Sequence, residues 1–171
     1  MKRVTIALSM TAMIAGAAVP LAHAAGSGPT VYRTGYFGIY TGWPDAIGGQ
    51  YTIPETFGSG SSLRLGVGIP AFYQAFGVDV SGDALFDTAK LGDRGELKLG
   101  GGVNIGYLNS DNSFTHDSNV FAYPHFLANF SMKFNPHLQG FVEPEAGPLF
   151  VSRGYGTTGR IAVKVGLNFL R

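Results

Sequence analysis

The chain contains no cysteine, so neither a disulfide framework nor a thiolate metal site is open to it. Charge is also scarce. Asp, Glu, Lys and Arg make up 13% of the residues, against about a quarter in ordinary globular domains. The two signs nearly cancel, with 12 basic and 11 acidic residues, and the basic excess of a nucleic-acid-binding protein is missing. Beyond the first two dozen residues no stretch approaches the roughly 18 consecutive apolar residues of a membrane helix. Any crossing of a bilayer therefore has to be made by strands. His125 and His137 are far apart with no third ligand in view, so no metal site and no cofactor are expected.

What is abundant favours strands and tight turns: 26 Gly, 13 Phe and 8 Tyr among alternating aliphatic residues. Residues Met1 to Ala24 open with Lys2 and Arg3, continue through an apolar run from Val4 to Leu21, and end in Ala22-His23-Ala24. This is the pattern of a secretory signal peptide cleaved after Ala24. Thr5, Ser9, Thr11, Gly16 and Pro20 dilute the run and argue against an anchor. We expect a signal peptide at residues 1–24 and one all-β domain at residues 25–171. Removal of Lys2 and Arg3 leaves ten basic against eleven acidic residues.

The clearest strand is the last, at residues 160–171. There Ile161, Val163, Val165, Leu167 and Phe169 alternate with Arg160, Ala162, Lys164, Gly166 and Asn168, the period of an extended chain with one apolar and one wet face. The same alternation recurs upstream. Strand 1 is expected at 30–42, with its facing open between Tyr32, Tyr36 and Tyr40 on one side and Val31, Phe37 and Ile39 on the other, and with room for a bulge at Gly35 or Gly38. Strand 2 follows at 47–53, strand 3 at 62–69, strand 4 from after Pro70 to about Lys90, and strand 5 at 96–108. Asn109 to Asn119 is the most polar stretch and reads as a loop. Strand 6 is expected at 120–134 and strand 7 at 138–151, where the prolines predict a bulge or a frayed upper half. A polar loop at 152–159 leads to strand 8.

Eight strands joined by alternately compact and longer polar connections are the arrangement of an up-and-down transmembrane β-barrel. Exceptions are the long connection at 55–61 and the short one near Pro70. Tyr40, Trp43, Tyr107, Phe134, Phe150 and Phe169 near strand ends could form interfacial girdles. Alternation alone leaves open which face points inward. With the apolar face outward, the interior receives Arg64, Asp79, Asp83, Glu96, Lys98, His125, Lys133, Glu143, Glu145, Arg160 and Lys164. Buried charges of both signs must find partners, and Glu143 and Glu145 are expected to pair with Lys98, Lys164, Arg64 or Lys133.

The chain resembles the small eight-stranded outer-membrane barrels of the OmpA transmembrane-domain, OmpX and OmpW type. The residues that carry the resemblance are Val163-x-Val165-x-Leu167-x-Phe169, which is similar to the C-terminal assembly signal of those proteins. It departs from them in that Leu170 and Arg171 follow Phe169. The resemblance implies an outer-membrane location, contact with outer-membrane lipid and with the barrel-assembly machinery, and no nucleic acid. The oligomeric state stays open.

Two local patterns carry candidate chemistry. Gly66-Val67-Gly68 and Gly100 to Gly106 lack the following helix and Lys-Ser/Thr of a phosphate loop. His116-Asp117-Ser118-Asn119 resembles the active-site segment of outer-membrane lipid A deacylases, which makes His116 and Ser118 candidate base and nucleophile. The acid expected about a dozen residues beyond the serine is absent, Phe130 and apolar neighbours standing there. The reading is a non-enzymatic barrel with a structural or surface-interaction role. The alternatives are a lipid hydrolase and a soluble secreted barrel carrying an apolar ligand.

Overall fold

In a computed structural model the described residues are 34–43, 45–70, 75–112, 115–152 and 157–171, with backbone alone at 45, 46, 75, 76, 110–112 and 115–118. The proposed signal segment and residues 30–33 of the expected first strand lie outside them. Eight strands follow in order: β1 Tyr36–Trp43, β2 Asp45–Pro54, β3 Ser61–Pro70, β4 Ala75–Leu91, β5 Gly95–Asn112, β6 Thr115–Asn135, β7 Leu138–Val151 and β8 Thr157–Phe169. Each pairs antiparallel with its sequence neighbours, and β1 closes on β8 from Phe37↔Phe169 to Trp43↔Val163. Closure leaves no free sheet edge along the wall.

The facing is settled by burial. Val163, Val165, Phe126, Val80, Leu65 and Phe37 point outward and are exposed, while Lys164, Ala162, His125, Asp83 and Arg64 are buried inside. A soluble ligand carrier would have the reverse arrangement, with its apolar faces lining the interior. In β1 the ambiguity resolves with Tyr36 and Tyr40 inward, Phe37 and Ile39 outward, and no bulge at Gly38. Tyr40 thus leaves the expected girdle, whereas Trp43, Tyr107, Phe134 and Phe169 stay on the exposed face. Interior glycines make room for rings on the adjacent strand: a Cβ at Gly166 would strike Phe141, and one at Gly106 would strike Phe121.

Two expectations about element limits are corrected, and a third holds on one side of its strand only. The stretch 109–119 is mostly strand, because β5 and β6 continue as a two-stranded ribbon from Asn109↔Ser118 to Asn112↔Thr115. Backbone bonding alone sustains such a ribbon, so its sequence shows no alternation. β8 begins at Thr157, which shortens the loop before it. At its prolines β7 stays paired to β8 without a break, from Leu138↔Phe169 to Phe150↔Thr157, and the irregularity expected there falls on its β6 side, where the pairs at Pro144 and Pro148 are missing. The 55–60 connection is an ordered turn, with Glu55 at φ 56° and the Ser61 hydroxyl donating to the Gly58 carbonyl at 2.6 Å.

Candidate functional site

The interior of an eight-stranded barrel is just wide enough for side chains to fill, and here they form a charged core. Register sets Arg64 of β3 directly across from Asp83 of β4. Nε and Nη2 of Arg64 donate to Asp83 Oδ2 at 3.0 and 2.8 Å. The same guanidinium reaches Glu143 of β7, with Nη1 donating to Oε2 at 2.6 Å and Nη2 to Oε1 at 2.7 Å. β3 and β7 are four strands apart in a ring of eight, so Arg64 spans the lumen. Bidentate charge-assisted bonds are the strong class of polar contact.

Alternation brings the neighbouring groups to the same core. Glu143 faces Lys164 in the register, yet the Lys164 ammonium contacts Glu145 at 2.5 Å and lies 5.2 Å from the ring of Tyr40. Asn129 Nδ2 donates to Glu143 Oε2 at 2.8 Å. His125 Nδ1 donates to the Tyr123 carbonyl at 3.0 Å, since that oxygen can only accept, and this fixes the ring. Nε2 then lies 3.1 Å from Asp83 Oδ1 and 3.9 Å from Glu145 Oε1. Tyr123 stacks on His125 at 4.9 Å, and the Arg160 guanidinium sits 4.8 Å from the Tyr123 ring. Asp79 is buried further along β4, toward the ribbon end.

Lys98 and Lys133 do not join this core. Lys98 contacts Asp87 at 3.0 Å and Glu96 at 3.9 Å, and Lys133 contacts Glu96 at 3.7 Å, in a second cluster near the β4–β5 turn. Of the four partners expected for Glu143 and Glu145, Arg64 and Lys164 serve, and Lys98 and Lys133 lie too near the turn. A neutral layer was missed in the sequence. Gln50 donates to Asn168, Asn168 to Gln139 and Gln139 to Ser131, each at 3.1 Å. Its signal is the amides at the wet positions of β2, β7 and β8, Gln50, Gln139 and Asn168. Among the described residues no group of three or more His, Asp or Glu side chains could hold a metal ion.

On the ribbon, His116 and Ser118 are two apart in β6. Asp111 stands directly opposite His116, and Asn109 opposite Ser118. An acidic residue thus holds the register position opposite His116 on the strand before, which spacing along the sequence could not show.

An eight-stranded antiparallel barrel, closed by β1 on β8, with an apolar exterior and an ionic interior is the architecture of the small outer-membrane barrels. The fold is shared with a solved outer-membrane β-barrel domain. The N-terminal β-barrel domain of Pseudomonas aeruginosa OprF superposes with a TM-score of 0.61 at 15% identity, covering 79% of this chain and 96% of that one. A major outer membrane protein from Thermus thermophilus gives 0.40 at 14% identity, covering 80% of this chain and 99% of that one. No protein-family model and no curated protein matches the sequence.

Proposed function

We propose that the chain is a non-enzymatic outer-membrane barrel whose ionic core braces the wall, with a structural role or one carried by its external ribbon. The observation that supports this most is the facing: a continuous exposed apolar surface around a lumen bridged from β3 to β7 by Arg64 and Glu143. Water would penalise such an exterior, and hydrocarbon would accept it. The expected location follows. The mature protein is expected to begin at Ala25 and to stay with the outer-membrane fraction through a carbonate wash, as N-terminal sequencing and fractionation would show. Release into the soluble fraction would defeat the proposal.

A second reading is favoured by one observation, the register that puts Asp111 opposite His116 with Ser118 two residues further along β6. Acid, base and nucleophile in that order would suit ester hydrolysis at the outer leaflet. The first reading expects no fatty-acid release from vesicles containing lipid A or phospholipid, and normal insertion of Ser118→Ala. Turnover that disappears in both Ser118→Ala and His116→Ala would establish the hydrolase instead.

A further inference from the structure

Among the described residues one ladder is broken along its length. β2–β3 and β4–β5 each skip a single residue, at Ala46 and Thr88, and the others run on without a gap apart from β6–β7. In β6–β7 the pairing passes over residues 123–125 and 128–129 of β6, besides a single skip at Phe134. The strands do not slip out of register there, since Ala122↔Phe150, Phe126↔Ala146 and Phe130↔Val142 lie on one line. Pro124 therefore faces Pro148 across the seam, and Ala128 faces Pro144. Proline has no N–H to give, so three ladder donors are missing between these two strands. Nor can a side chain close the gap from β7, because a Cβ on Gly147 would strike the Pro124 carbonyl.

What holds the seam is the charged core behind it. Asn129 and Glu143 stand on either side of the lower gap, and their 2.8 Å bond ties β6 to β7 where the backbone does not. Glu143 is held in turn by Arg64 from the opposite wall. His125, on the inner side of the upper gap, lies nearer to Asp83 of β4, at 3.1 Å, than to Glu145 of β7, at 3.9 Å. Local opening follows the lines of fewest backbone bonds.

We propose that the β6–β7 seam is a line of local opening latched by the Asn129–Glu143–Arg64 bridge, through which water reaches the buried charges while the rest of the barrel stays closed. Residue-resolved amide exchange of the intact protein in micelles tests this within single strands. Seam-side amides between Ala122 and Phe130 and between Val142 and Phe150 are expected to exchange about tenfold faster than amides of the same strands bonded to β5 and β8. Asn129→Ala should speed exchange at the seam alone. Pro124→Val with Pro148→Val, which restores two donors, should slow it. Equal protection on both sides of β6 and β7 would overturn the proposal. So would an Asn129→Ala effect spread evenly round the barrel, or no slowing in the valine variant.

Discussion

Arg64→Met is expected to destabilise the folded barrel by about 3–5 kcal/mol, the cost of removing one partner from a buried ionic group, measured by urea unfolding in lipid vesicles. The guanidinium makes four hydrogen bonds, two to Asp83 and two to Glu143, and its side chain is almost fully enclosed. Its loss strands two carboxylates at once in a lumen that the methionine itself helps to fill. The penalty comes from the abandoned charges rather than from lost packing. Arg64→Met combined with Asp83→Asn and Glu143→Gln should accordingly recover part of the stability, because interacting sites do not add. The Asn129 bond to Glu143 offsets only a fraction of the lost charge. An Arg64→Met barrel as stable as its parent would show that the core contributes nothing net to the fold.

The strand count and the composition of the wet faces were legible because a period of two survives wherever one face meets charge and the other does not. Leu97 to Tyr107 and Ile161 to Phe169 show this most clearly. The ribbon at 109–118 was not legible, because its sequence is polar throughout and only backbone pairing marks it as strand. The face of β1 was hidden by tyrosine, which suits a lipid interface or a polar lumen equally well. Tyr36 and Tyr40 turned inward. Partners within the core were beyond reach for another reason. Which residues meet across the lumen depends on the stagger of the closed sheet, which no local pattern records. Arg64 and Glu143, 79 positions apart, meet because β3 and β7 stand opposite, whereas Lys98 lies nearer the turn and pairs with Asp87. The same blindness hid Asp111, which faces His116 only once the β5–β6 register is known.

Val165→Arg is expected to cost about 2–4 kcal/mol near mid-membrane, the depth-dependent penalty for a cation on the lipid face of such barrels. Val165 is 48% exposed on the outer wall, paired with Val142 on one side and Thr41 on the other, so an arginine there finds neither water nor a carboxylate. The residue before it behaves in the opposite way. Lys164 is buried and in contact with Glu145, so Lys164→Met should still insert and should lose stability through the carboxylate it abandons. Adjacent positions with contrary responses to charge are the signature of a wall with hydrocarbon on one side and an ionic lumen on the other. Insertion yield and urea unfolding in vesicles measure both variants. If Val165→Arg inserted and resisted unfolding like the parent, its side chain would be in water, and the bilayer assignment of the outer face would fall.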